Sequence, residues 1–451
     1  MAQNKSQFAI LEASIISSST TDEDKLIDIK NNVIELQFWE HISKPYIDAR
    51  IVFIDDFGLR ELMGIQGTER IRIAIGNAEA PEEPSIIKYF FFSKINEVQN
   101  LNERSQMISV DLVEEHVYVD AIKQFSRSYT NTLEDIIINV CNKDLKKKVL
   151  TDDFAGSVQG VRKIIVPYMS PIETIQWLKD RATTKLGAPI YLTSSLYNSD
   201  LKLSDLDNLL RADVFNDKLP ARYSKSLQGS EDPLKTYYEI ISYKSVGNEN
   251  ALALYEEGAI GSLYSNLDAG TGNSVDSHVT IRDIIDEFYT NGLISPESIQ
   301  SVFDPSLLID GKLSDEYNSL AIHQVTSSGT YNQFNSYHDE ATVLDDGNNI
   351  QESRLKVKNK IIRSILKKNM LDIGMNGGLF FQGKIDVGNK MRLLFLSADA
   401  EGDAKDAGEQ IDMSSSGDYL ILAINHKLTS EKHIAQLRLT KLGDLPSDFK
   451  L

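Results

Sequence analysis

Seven histidines, one cysteine and 66 carboxylates are the side chains from which a reaction centre would have to be built. None of the histidines (His41, His116, His278, His323, His338, His426, His433) stands three or four residues from another, so no helical turn offers a paired-imidazole metal face. Cys141 shares an apolar helical stripe with Leu133, Ile136, Ile137 and Val140 and reads as an inert core thiol. A lone cysteine also excludes an intrachain disulfide and a cysteine zinc cluster. The segment Gly378-Leu-Phe-Phe-Gln-Gly383-Lys384 nearly spells a phosphate cradle, but Ile385 stands where a magnesium-holding hydroxyl belongs. Phe380 and Phe381 point there to a strand or a packed loop. No Gly-x-Ser-x-Gly elbow occurs. The acidic run Asp399, Glu401, Asp403, Asp406, Glu409 and Asp412 lacks the spacing of a calcium loop and reads as a solvated hairpin crown. Among so many carboxylates a glycosidase-like pair exists by chance, and sequence does not locate it. No catalytic, cofactor-binding or metal-ligating residue is therefore assigned.

The one basic cluster, Arg354, Lys356, Lys358, Lys360, Arg363, Lys367 and Lys368, lies on a helix expected from Glu352 to about Leu371, with Leu355, Ile362, Ile365 and Leu366 turned inward. A solvated face is the default for it, and contact with an acidic subunit or partner the sharper reading; Lys356, Lys360 and Arg363 are the candidates. Trp39 and Trp177 read as packing residues. The chain as a whole has 47 Lys plus Arg against 66 Asp plus Glu, a net charge of −19, which argues against tight binding to nucleic acid or an anionic membrane. No apolar run approaches ~18 residues, so no membrane span is expected, and the first twenty residues lack the layout of a secretory signal. At 451 residues, two to four domains are expected.

From Phe8 to Val113 the apolar period is 2: Ile34, Leu36 and Phe38; Ile51 and Phe53; Ile71, Ile73 and Ile75; Tyr89 to Phe92; Ile108, Val110 and Leu112. Turns at Lys44-Pro45, Asp55-Asp56-Phe57-Gly58, Gly76-Asn77 and Asn100-Leu101-Asn102 separate five or six antiparallel strands. The period then changes. Thr132 with Asp135, Ser170-Pro171 with Glu173, and Thr280 ahead of Ile281, Ile284, Ile285 and Phe288 predict three capped helices. Ile190–Leu192, Leu201–Leu203 and Tyr237–Ile241 predict strands, residues 265–279 a long loop, and 314–350 an exposed polar excursion. Three last strands fall near Met391–Leu396, Tyr419–Asn425 and Ile434–Thr440. These echo the first domain: a strand, a loop, a strand ending in Ile-Asn (Ile95-Asn96, Ile424-Asn425), a turn and a closing strand.

The order of elements resembles the central hub subunit of contractile-tailed phage baseplates, a family related to the hub part of type VI secretion spike proteins. The likeness is carried by Val33–Glu40 through Tyr46–Gly58, Gly67–Ile73, Val166–Leu178, Gly388–Phe395 and Tyr419–His426. It implies an α+β, mainly β fold: two similar tube-type antiparallel β-barrels, residues 7–122 and 231–265 with 375–445, an inserted α/β domain at 123–230, and a loop and helical insertion at 266–374. It further implies a homotrimer whose six barrels form a ring between the tail tube, or a tube-initiator protein, and the central spike. Baseplate wedge proteins and a tape measure protein would be further partners. DNA would pass through the lumen without specific binding, favoured by carboxylates that repel phosphate. No enzymatic activity, no cofactor and no stable membrane insertion are implied; the place is the virion's tail baseplate, assembled in the host cytoplasm. By analogy the turn Asp55, Asp56, Gly58 becomes a subunit-contact candidate. A carbohydrate-active hydrolase and a monomeric sugar- or protein-binding β module remain the alternatives.

Overall fold

The computed structural model describes residues 8–16, 26–56, 58–59, 67, 69–77, 84–103, 105–156, 161–223, 238–246, 252, 261–268, 274–294, 308–309, 312–313, 320–326, 348–396, 411–430 and 432–446. Seven strands come first: β1 (Phe8–Ile16), β2 (Leu26–Asp28), β3 (Val33–His41), β4 (Asp48–Asp55), β5 (Arg70–Asn77), β6 (Pro84–Asn100) and β7 (Gln106–Val113), followed by helix α1 (Glu115–Ile122). Strict alternation sets their faces: in β4 Ala49, Ile51 and Phe53 are buried while their neighbours are half-exposed. These residues join Phe38, Ile71, Ile73, Phe90 and Phe92 in one apolar core.

A second unit has its own core. It comprises β8 (Phe125–Asn131), α2 (Leu133–Val140), β9 (Val149–Leu150), β10 (Arg162–Met169), α3 (Pro171–Lys179), β11 (Ile190–Ser195) and β12 (Asn198–Asp205); the helix that follows, α4 (Leu206–Arg211), instead packs Leu206, Leu209 and Leu210 into the core of the C-terminal strands. Its helices start where side chains satisfy the free N-terminal amides. Thr132 accepts from Asp135 N, and Ser170 with Glu173 makes a reciprocal capping box, each such cap contributing ~1 kcal/mol.

The remainder consists of β13 (Ala221–Tyr223), β14 (Ile240–Val246), β15 (Gly261–Asp268), β16 (Ser274–Thr280), α5 (Ile281–Thr290), β17 (Leu308–Ile309), β18 (Lys312–Leu313), β19 (Leu320–Thr326), α6 (Asn348–Ile365), β20 (Met370–Asn376), α7 (Gly378–Gly383), β21 (Lys390–Phe395), β22 (Gly417–Thr429) and β23 (His433–Gly443). The capping box at Thr280 starts α5 as its sequence predicts. α5 and α6 pack Ile284, Phe288, Val357 and Ile361 onto the strands of this third core.

The fold is α+β and mainly β, but the two expected barrels are not closed. Thirteen strands share one sheet, in the order β14-β20-β23-β22-β3-β4-β7-β6-β5-β1-β2, with β21 beside β22 and β13 beside β21. The reason lies in β22. Its first residues, Gly417–Leu420, pair with β21, but the strand runs on, and Ala423–Thr429 pairs with β3 of the first set. A ladder that leaves its own set for the next cannot close on itself. In the second set β13 and the start of β14 touch through a single bridge, Arg222 to Glu239.

The echo is nonetheless present, as topology. The first set runs β1-β5-β6-β7-β4-β3 and the second β13-β21-β22-β23-β20-β14, so each strand has a counterpart with the same neighbours. The bulges correspond too. The β3–β4 ladder skips Ile34 and the β14–β20 ladder skips Ile241, each the residue directly after the first paired residue of its strand. One departure remains: β1 lies antiparallel to β5, β13 parallel to β21.

Local expectations failed where pairing partners were distant. The loop expected at 265–279 is largely the hairpin β15–β16, whose polar residues are held by backbone ladder bonds. The excursion at 314–350 contains β19, parallel to β15. The basic helix ends at Ile365, and Met370 and Leu371, expected at its end, open the sheet strand β20. Gly378–Gly383 is a short helix rather than a strand or loop, and it places Phe380 and Phe381 in two different cores.

Candidate assembly surface

The two strand sets meet around one aromatic side chain. Phe381, contributed by the second set, packs in the first core, edge-on to Phe8 at 5.5 Å and against the rings of His426 at 4.8 Å and His433 at 4.2 Å. His426 Nδ1 and His433 Nε2 lie 3.2 Å apart. Burial pushes both imidazoles down, His433 to about 3; for His426, well below its ordinary value, the charge of His433 adds to burial. They are a neutral packed pair. The helical spacings searched in the sequence miss it, since the two meet across the β22–β23 hairpin, seven residues apart. Strand alternation through the turn was the signal that would have found it.

The tip of the β11–β12 hairpin inserts beside this contact. Leu196 N donates to Glu40 Oε1 at 3.0 Å, Tyr197 OH to Phe380 O at 2.9 Å, and Ser194 Oγ to Glu114 Oε2 at 2.8 Å. Burial, then the charge of Asp386, holds the Glu40 carboxyl well above its ordinary range, and burial lifts Asp386 to about 6. Glu40 and Asp386 are thus two buried carboxyls that sense each other's charge. Glu40 is 1% exposed, so no polymer chain reaches it, and the pair has no glycosidase-like cleft. Burial raises Glu114 too, but Lys88, His116 and Lys147 outweigh it and hold that carboxylate below its ordinary value. Cys141 is buried and its thiol is pushed up to about 12, which keeps it unreactive. Among the described residues no group of three His, Cys, Asp or Glu side chains converges on a metal position, and no helix is long and apolar enough to cross a membrane.

The solvent face of the sheet carries paired charges. Arg50 on β4 bonds Asp111 on β7 at 2.7 Å; Arg438 on β23 holds both oxygens of Asp372 on β20 at 2.9 and 3.0 Å. Following the cross-strand partners, Arg50 corresponds to Asp372 and Asp111 to Arg438: the same ion pair with its signs exchanged. Lys427 meets Glu35 across the junction at 2.6 Å. A groove of about 580 Å³ crosses this face, lined from both sets by residues including Trp39, Lys44, Tyr243 and Arg438.

The residues singled out in the sequence are dispersed. Asp55 is buried and accepts from Leu59 N at 2.9 Å, a turn cap that leaves it no free surface. Asp56 is exposed, within 3.5 Å of Asn32 Nδ2, and Gly58 takes φ +69°, a turn geometry that favours glycine. Lys360 is exposed on α6, the Lys356 side chain lies outside the described residues, and Arg363 reaches Asp180 at 2.8 Å, within the same chain. Lys358 pairs with Glu287 of α5, so part of the basic cluster is turned inward. Asp412 aside, the acidic run lies outside the described residues; the Asp412 carboxylate accepts from Ser414 N at 2.9 Å. What sequence reasoning missed is an open strand edge. Beyond Phe92, whose N donates to Glu69 O at 2.8 Å, the outer edge of β6 has no partner strand among the described residues.

No protein-family model matches the sequence, and no curated protein matches it. Solved structures share the fold. A tail protein from Neisseria meningitidis MC58 aligns at TM-score 0.53 and 10% identity, covering 96% of this chain and 96% of that one. The 43 kDa tail protein of prophage MuSo2 from Shewanella oneidensis aligns at TM-score 0.51 and 12% identity, over 95% of this chain and 98% of that one. The E. coli c3393 protein, a component of the type VI secretion system, aligns at TM-score 0.41 and 9% identity, over 92% of this chain and 76% of that one, too loosely to bear weight. At the level of fold, the chain matches phage tail proteins.

Proposed function

We propose that this chain is a structural subunit of a contractile phage tail, the baseplate hub that joins the tail tube to the central spike. The single observation that carries the reading is the repeated strand order: one chain presents two sheet modules of the same strand order, joined side by side through β22 and β3. Three chains would then present six equivalent modules, which is what a threefold spike needs in order to meet a sixfold tube. In this reading residues 7–122 form the first tube module and 231–265 with 375–445 the second, with the 123–230 unit outside the ring and 266–374 inserted between strands of the second module. The partners are two further copies, the spike, the tube or its initiator, wedge proteins and the tape measure protein.

The role is mechanical, without catalysis. The paired charges of the sheet's solvent face give DNA phosphates no net basic footprint, so a lumen walled by that face lets DNA slide. The acidic surplus then lies elsewhere than expected. Multi-angle light scattering with negative-stain microscopy tests the reading: a threefold particle with a six-lobed ring is expected. A single-chain mass at every concentration, alone and with the spike, overturns it.

A further inference from the structure

The tip of the β11–β12 hairpin belongs to the second unit by sequence, yet Leu196 at its end is 1% exposed and packs in the first core. Polar groups hold the tip from three directions. From the first set, Glu40 accepts from Leu196 N, Glu114 accepts from Ser194 Oγ, and Lys88 Nζ on β6 donates to Asn198 O at 2.8 Å. From the second unit itself, Lys147 Nζ, ahead of β9, donates to Ser199 O at 3.0 Å. From the second set, Phe380 O accepts from Tyr197 OH, and Asp386 accepts from Ser195. The tip is a plug through which the second unit grips both strand sets.

The charges around the plug fall into two groups. Glu114 has cations at hand, Lys88 Nζ at 3.4 Å and Lys147 Nζ at 4.0 Å, and it accepts from Ile47 N at 2.8 Å. Glu40 and Asp386 do not: Glu40 Oε2 and Asp386 Oδ1 are buried without a hydrogen-bond partner among the described residues. Lys202 on β12 is engaged with Asp153 at 2.6 Å and, like Lys88, acts on Asp386 only through its field. The Tyr197 ring lies in the field of both carboxyls. A buried carboxylate with an unpartnered oxygen is costly, and two in one site cost more. Lifting the tip admits water to both.

The geometry points to a latch: the hairpin tip stays seated while Glu40 and Asp386 are neutral, and lifts from the seam of the two strand sets as they ionise. With the tip seated Asp386 titrates at about 6 against an ordinary 3.8, so ionisation favours the lifted form as pH rises through 6. Glu40, also raised, acts in the same direction. Glu114, held below its ordinary 4.5, acts in the opposite one, but its contribution is complete above about pH 5. His116, on α1, is kept neutral chiefly by burial and bonds Pro45 O at 2.8 Å, away from the tip. The latch is tightest in mild acid and loosens in mild base.

Hydrogen exchange of the full chain, read by mass spectrometry and corrected for intrinsic rates, tests this at the Leu196 amide against Ile190–Leu192, which sit in the second unit's own core. From pH 5 to pH 8 protection at the tip is expected to fall about tenfold from Asp386 alone, and further with Glu40, while Ile190–Leu192 keep theirs. Asp386→Asn with Glu40→Gln, which mimics the neutral pair, is expected to abolish the fall, and Asp386→Asn alone to reduce it. No fall in the unaltered chain overturns the latch, as does an equal fall at Ile190–Leu192. Should the double variant fail to fold, a fall in Asp386→Asn as large as in the unaltered chain overturns it too. The readout is independent of particle mass, so the latch and the ring reading stand or fall separately.

Discussion

The second halves of β6 and β22 hold the same place in two copies of one topology, yet their surfaces differ. In β22, Ile424, His426 and Leu428 are buried and the residues between them half-buried; in β6, from Ser93 to Asn100, only Ile95 and Val98 are even partly covered. Neighbours account for the contrast. β22 has a strand on each side, and the hairpin tip with Phe381 fills the space beneath it, whereas β6 has β7 alone. The comparison teaches that one strand order gives a buried junction where a second ladder covers it and an exposed edge where none is described.

The comparison can be broken where the sets are coupled. Phe381→Ala removes the ring shared by the first core and the histidine pair, at a cost of about 3–5 kcal/mol, and calorimetry is expected to show one transition splitting into two. A single transition that merely shifts would mean the sets are held together elsewhere.

A smaller effect lies in pH. The folded-state value of Asp386, about 6, stands above the ordinary 3.8, so its contribution to stability is complete below about pH 4 and is lost as pH rises through 6. Asp386→Asn, which mimics the protonated form, is therefore expected to stabilise by on the order of 2 kcal/mol at pH 8 and by nothing at pH 4, read from urea unfolding at both. His433 runs the other way: depressed to about 3 from 6.5, it contributes fully above 6.5 and loses that contribution as pH falls. Equal gains for Asp386→Asn at both pH values would remove the carboxyl from the junction's energetics.

The smallest effect sharpens the correspondence itself. Arg50→Asp with Asp111→Arg gives the first set the charge order of the second. Each single change is expected to cost about 1 kcal/mol or less, and the double variant to recover most of it, in a double-mutant cycle on urea midpoints. No recovery would show that the two positions are not interchangeable.

Much of this fold is legible from local signals. The caps at Thr132, Ser170 and Thr280 and the alternation in β3, β4, β5 and β7 depend on residues within a few positions of one another, and the structure bears them out. β20 and the β15–β16 hairpin were not legible. Their residues, such as Asp372, Gly374 and Asn266, have weak strand preference and are held by partners distant along the chain or by a mate of equal polarity. The duplicated meander was readable in outline. The sign-exchanged ion pair hid the deeper correspondence, because the letters at matching places oppose each other.

The sequence by itself determined the apolar alternation, the helix starts, the acidic balance and the lack of any nucleophile motif, since each is a property of residue type and near spacing. Tertiary structure alone decided that β22 would cross from its own module to β3, that Glu40 and Asp386 would be buried together, and that Phe381 would pack into the core of the other strand set. Those outcomes depend on which distant strand is within reach when a ladder is completed, and hydrogen-bonding backbone groups are the same at every residue.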